Sequence, residues 1–136
     1  MSNIKDGWTF EEKIIEILGE HGFWASGFPK DKDGTQPADI IAVNHKGIHL
    51  IDAKACKGGR FPFERMEDNQ LSAMDAIAER AGGRGWFALG YPGEKIYMVE
   101  KFKLCMLRDS GAKALGNNLP DSLRIEVWLR EHSDQQ

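Results

Sequence analysis

The sequence predicts an α/β fold, a central mixed β-sheet flanked by helices in the order α-β-β-β-α-β, and three observations predict it. An apolar stripe at helical spacing opens the chain; two runs rich in β-branched residues follow, joined by a short polar turn; a second helical stripe then ends at two glycines, with further short apolar runs beyond it. Helix and strand signals mixed in this way build a sheet covered by helices. The 136 residues, 41% hydrophobic and 29% charged, suit one core, so a single domain over 1–136 is expected.

Phe10, Ile14, Ile15, Ile17 and Leu18 form the first stripe among Glu11, Glu12, Lys13, Glu16 and Glu20. Thr9 can cap this helix and Gly22 can end it in the left-handed conformation. Phe23 to Phe28 reads as a short strand, and Pro29-Lys30-Asp31-Lys32-Asp33-Gly34 as a polar loop. Ala38 to Asn44 is a strand, since Ile40, Ile41 and Val43 are β-branched and Pro37 can only precede it. Asn44-His45-Lys46-Gly47 turns the chain, and Ile48 to Ala55 returns as the second arm of a hairpin. Lys57 to Phe63 is expected as a loop. Leu71, Met74, Ile77, Ala78 and Ala81 mark a helix over Met66 to Ala81, stopped by Gly82-Gly83. Trp86 to Tyr91 and Lys95 to Val99 are strands around the turn Pro92-Gly93, Glu100 to Leu107 is a short helix, and Leu123 to Leu129 alternates as a last strand.

Composition narrows the function classes. The longest apolar runs, such as Ile40-Ile41-Ala42-Val43, fall far short of the roughly 20 residues of a membrane helix. Met1 to Asp6 leads into a charged amphipathic segment and not a signal peptide, so a cytoplasmic protein without a membrane partner is expected. Cys56 and Cys105 are far apart, without a CxxC pair, which suggests neither a disulfide framework nor a zinc site. His45 and His49 have the spacing of a helical zinc pair but flank a turn between strands. Trp8, Trp24, Trp86 and Trp128 sit in apolar patterns, as core or dimer-interface residues and not base-stacking platforms. A net charge of -3 runs against nucleic-acid binding. Between Asn44 and Arg65, however, Lys46, Lys54, Lys57, Arg60 and Arg65 outnumber Asp52 and Glu64, leaving a locally positive stretch.

The pattern that carries chemistry is Pro37-Ala38-Asp39, a hairpin turn, then Ile51-Asp52-Ala53-Lys54. Residues two apart on a strand face one side, so Asp52 and Lys54 project together while Ala53 points away. The hairpin brings Asp39, at the first strand's start, near the second strand's end. Two carboxylates and a backbone carbonyl, here that of Ala53, are hard oxygen donors suited to Mg²⁺ with several waters retained. Such an ion polarises a phosphodiester and acidifies its water. Lys54 can orient that water and offset charge building on the phosphate. A turn-capping Asp39, a surface ion pair between Asp52 and Lys54, and a Glu11 favoured by its helix dipole are the plainer alternatives.

Pro37, Asp39, Asp52 and Lys54 resemble the motif of the PD-(D/E)XK nucleases, which implies a restriction-endonuclease-like core, acids binding Mg²⁺ (or Mn²⁺ in its place), and a lysine serving the water. Gly7-Trp8-Thr9-Phe10-Glu11, Phe61-Pro62-Phe63 and Gln70 extend the resemblance, over roughly 7–99, to Holliday junction resolvases of the bacterial RecU type and, more distantly, the archaeal type. The resemblance implies Glu11 as a further metal-site residue, with Glu12 a bystander, and Gln70 beside Lys54 as a catalytic helper. It also implies a homodimer nicking branched DNA, a four-way junction in the family's manner, with no organic cofactor. Lys57, Arg60 and Arg65, with Lys30 and Lys32 on a short arm, are the expected DNA contacts. RecU-type enzymes carry a long stalk before the metal-site aspartate, where this chain has only Gly27 to Ala38. Another nuclease of the superfamily, acting in repair, restriction or transposition, and a non-cutting DNA-binding module remain the alternatives.

Overall fold

The computed structural model describes residues 7–30 and 36–134, so Lys32 lies outside the described residues. In chain order the elements are α1 (Phe10–Glu20), β1 (Trp24–Gly27), β2 (Ile40–Asn44), β3 (Gly47–Ala55), β4 (Arg60–Pro62), α2 (Asp68–Ala81), β5 (Arg84–Tyr91), β6 (Lys95–Glu100), α3 (Lys101–Asp109), β7 (Ala114–Gly116) and α4 (Ile125–His132). Helix α1 opens on a capping box: the Thr9 hydroxyl accepts from the Glu12 amide at 3.1 Å, and Glu12 Oε1 accepts from the Thr9 amide at 3.0 Å. Glu12 is thereby committed to the helix end, while Ile14, Ile17 and Leu18 turn inward.

The five-stranded sheet runs β1-β2-β3-β5-β6, with β3 and β5 parallel and every other neighbouring pair antiparallel. Between the two parallel strands the chain passes through β4 and α2, the kind of crossover that a parallel pair requires. Alternation then sorts the core into two layers. Ile51, Trp86, Ala88 and Met98 pack with α1 and α4, and Leu50, Phe87, Leu89 and Val99 pack with α2 and α3. Asp52 and Lys54 fall in the phase of Leu50, on the α2 side.

Two expectations fail. Leu123 to Leu129 is not a strand: Arg124 makes a single bridge to Tyr97, its guanidinium 5.7 Å from that ring, and the chain then coils into α4. Ile125, Trp128 and Leu129 are buried at the i, i+3, i+4 spacing of a helix, a pattern the alternating reading of Ile125, Val127 and Leu129 obscured. The expected loop over Lys57 to Phe63 contains β4, which pairs with the distant β7 and buries Phe61. Three residues carry no readable period, and Pro62 is tolerated because this strand lies outside the main sheet. Trp86 and Trp128 are core residues, whereas Trp24 stands 64% exposed on the edge strand β1. Among the described residues no helix is long and apolar enough to cross a membrane.

Close approach of α2 to the sheet depends on Gly85. A Cβ there would lie 2.4–2.6 Å from Met74 Cβ, Cγ and Sδ, and Met74 Cβ cannot move without the helix. Gly85→Ala is expected to lower unfolding free energy by about 1–3 kcal/mol, the usual cost of overpacking; urea denaturation giving an unchanged midpoint would contradict this packing.

Candidate active site

Strand β2 ends opposite Ile51, at Ile40, so the Ala53 amide has no strand partner on that side. The carboxylate of Asp39 takes its place, with Oδ2 accepting from Ala53 N at 2.9 Å. This places Asp39 beside the segment that carries Asp52 and Lys54. The Lys54 ammonium lies 3.4 Å from Asp52 Oδ2 and 3.8 Å from Glu67 Oε1, with only 12% of its side chain exposed. Glu67, at the N-terminal boundary of α2, was not singled out in the sequence; its position one turn before Gln70 was the available signal.

Asp52 is fully buried; its polar contacts are Asp39 and the Lys54 ammonium, and among the described residues no backbone N–H or hydroxyl group donates to either of its oxygens. Burial first, then its hydrogen bond with Asp39 and the charge of Asp39, push its carboxyl up to about 8 against the pull of Lys54. Asp39 behaves in the opposite way. Burial opposes its ionisation, but hydrogen bonds from Asp52, Ala53 and Lys30, with the charge of Lys30, hold it below the usual carboxylate range. Two carboxyls facing each other in a dry site share one proton because they cannot both ionise cheaply.

Glu11 reaches this cluster through a lysine. Lys30 Nζ stands 3.1 Å from Glu11 Oε2 and 3.2 Å from Asp39 Oδ1. Burial works against the Lys30 charge, yet the hydrogen bonds to Glu11 and Asp39 outweigh it and raise its pKa. Gly27 leaves room for this approach, since a Cβ there would sit 3.2 Å from Glu11 Oε1. Gln70 is buried in the first turn of α2 with its Oε1 lacking a donor, and Asn69 Nδ2 ties the same turn to the Gln36 carbonyl just ahead of Asp39.

The remaining predicted residues surround this centre unevenly. Arg65 Nη1 donates to the Ala55 carbonyl at 3.0 Å and its guanidinium lies 5.8 Å from the Phe61 ring. Lys57 is exposed in the turn between β3 and β4. Arg60 lines a recess of about 480 Å³ with Arg108 and Lys113, two cations the sequence reading had left unassigned. A larger cavity of about 600 Å³, between α1, the β5–β6 hairpin and α4, contains none of the three acids.

Among the described residues no three Asp, Glu, His or Cys side chains stand close enough together to hold an ion. The donors nevertheless fit a hard divalent cation. Asp52 offers two buried oxygens that no backbone N–H among the described residues reaches, Asp39 Oδ1 likewise accepts from no backbone N–H of the described residues, and an ammonium already sits on that oxygen. Mg²⁺ asks for no more than one or two carboxylates with waters completing its shell.

The raised Asp52 pKa fixes a pH dependence. In the unfolded chain the group ionises near its ordinary 3.8, and in the fold near 8, so its contribution favours the fold less and less as pH rises through that window and is constant above it. In EDTA, the stability of Asp52→Asn relative to wild type should therefore climb between pH 4 and 8. Parallel pH profiles for the two proteins in chemical denaturation would refute the shared-proton description.

A sequence profile of the archaeal Holliday junction resolvase family (Hjc) matches residues 2–134. No curated protein sequence matches the chain. Among solved structures, that of Archaeoglobus fulgidus Hjc, described as a Holliday junction resolvase from an archaeal hyperthermophile, superposes with a TM-score of 0.62 at 18% identity, covering 90% of this chain and 96% of that one. At that identity the likeness speaks for the fold, a restriction-endonuclease-like core with a central mixed sheet between helices. The profile, spanning nearly the whole sequence, places this chain in the archaeal Holliday junction resolvase family, nucleases of branched DNA.

Proposed function

We propose that this chain hydrolyses phosphodiester bonds at four-way or similarly branched DNA, using Mg²⁺, or Mn²⁺ in its place, at Asp39 and Asp52, and that it acts as a homodimer. The observation that carries the reading is Asp52: a fully buried carboxyl in contact with a second acid and with the Lys54 ammonium, and reached by no backbone N–H among the described residues. An apolar or amide side chain would be cheaper there unless a cation were to be held.

Asp39 and Asp52 would hold the ion with the Ala53 carbonyl, and Glu11 would join through the outer shell or directly. The bound ion supplies Lewis acidity toward the phosphate and lowers the pKa of a water. Lys54, fixed between Asp52 and Glu67, is positioned to orient that water and to offset negative charge on the reacting phosphate. Gln70 offers a buried amide whose oxygen is unengaged and can accept from the same water. Lys57, Arg60 and Arg65 would meet the DNA backbone beside the cut, with Lys30 and Lys32 as further contacts. Phosphate contacts of this kind set register without reading bases. One set of acids per chain serves one strand, so paired cuts across a junction need two copies.

Labelled four-way junction, linear duplex and single strand, each with Mg²⁺ and with EDTA, test the reading. Junction cutting should require the ion and fall on the order of 10²-fold or more in Asp52→Asn and in Lys54→Ala, the scale of losing an electrostatic partner of the transition state. Lys54→Ala should still bind the junction within a few-fold of wild type. Equal cutting of all three substrates would defeat the branched-DNA reading, and metal-independent cutting would defeat the site. Sedimentation of the free protein as a monomer at assay concentrations would defeat the homodimer.

A further inference from the structure

The position of Lys30 has a meaning beyond DNA contact. Asp39 spends Oδ2 on the Ala53 amide, which leaves Oδ1 as the oxygen available to a cation, and the Lys30 ammonium occupies it at 3.2 Å while touching Glu11 at 3.1 Å. Its side chain is more than half exposed, at 57%. An exposed lysine gains little from one ion pair and loses rotamer freedom by being held. Here two acids from separate segments, Glu11 of α1 and Asp39 just ahead of β2, converge on the same ammonium, beside a third acid, Asp52. That is the electrostatic environment of a cation site.

We propose that Lys30 is the resident counter-cation of this site: it fills the gap between Glu11 and Asp39 in the metal-free protein, yields that place when a divalent ion binds, and then transfers its charge to a DNA phosphate. This inference rests on the metal-dependent reading given above. A divalent ion on Asp39 Oδ1 would put two cations on one oxygen, and their mutual repulsion weakens the hold of the ammonium there. Three acids facing Lys30 and Lys54 attract an ammonium; adding a divalent ion to the same oxygens reverses the balance and repels it. Lys54 does not bridge Glu11 and Asp39, since the acids it meets are Asp52 and Glu67. Without the metal Lys30 holds Glu11 and Asp39 together. With it, the same side chain becomes a phosphate ligand at the mouth of the site, which links ion binding to DNA binding.

Calorimetric titration of Mn²⁺ into metal-free wild type, Lys30→Gln, Lys30→Arg and Lys103→Gln tests the competition. Lys30→Gln should bind Mn²⁺ about three- to tenfold more tightly than wild type, the range expected from releasing weak exposed ion pairs, with Lys30→Arg and the control Lys103→Gln, an exposed lysine of α3, near wild type. Junction binding with Ca²⁺ and with EDTA tests the transfer. The metal-induced steepening of the salt dependence should be larger by about 0.9 in wild type than in Lys30→Gln, the contribution of one phosphate contact. Equal Mn²⁺ affinity of wild type and Lys30→Gln overturns the competition, and equal steepening overturns the transfer. If neither protein binds Mn²⁺, the metal site itself has failed, a result distinct from clear binding by wild type that Lys30→Gln fails to tighten.

Discussion

The hydrogen bond from the Ala53 amide to Asp39 Oδ2 is the constraint on which the site depends. It closes the gap where β2 stops short of β3, so a side chain stands in for a missing strand partner. The bond holds one acid against the next pair of functional groups along β3 and assigns its two oxygens different duties. One is spent on the backbone; the other faces the cluster. Asp52 and Lys54 then need nothing beyond strand alternation to face the same layer.

Much of this was legible in the letters because it is local. The β-branched run Ile40 to Val43, the turn at Asn44 to Gly47 and the two-residue spacing of Asp52 and Lys54 specify a hairpin and a shared face, whatever packs around them. The resemblance singles out Glu11 over Glu12, and the capping box between Thr9 and Glu12 supplies the physical reason that Glu12 is occupied elsewhere. What the sequence concealed is tertiary. The pairing of β4 with β7 joins two three-residue segments far apart in the chain, and α4 carries a pattern that fits two periods until the bridge at Tyr97 and Arg124 ends the extended run. Glu67 and Lys30 find their partners only after α2 and the segment following β1 are set against β3 and β2.

His49 shows how burial can give a conspicuous residue a plain task. Set aside as a zinc ligand, it lies deep between Phe23, Trp86, Trp128 and His132, and its Nδ1 accepts from Trp86 Nε1 at 2.9 Å. Accepting there keeps the ring neutral. Burial, with help from His132 and Arg84, brings its pKa down to about 4, so the aromatic layer beneath the sheet carries no charge at neutral pH. The acids, on the other side of the fold, are the charged part of the molecule that must be balanced.

The single parallel pair sets the order in which the molecule can assemble. The β2–β3 hairpin closes a tight turn, whereas β3 meets β5 only after β4 and α2 have been threaded between them. Short loops close earlier and at lower entropic cost than long ones. Bringing Asp39 and Asp52 together therefore needs only the hairpin, whereas the layer that buries Asp52 needs the whole α2 crossover as well: the proximity of the two acids is a local property of the chain, and their dryness is a property of its longest loop closure within the sheet.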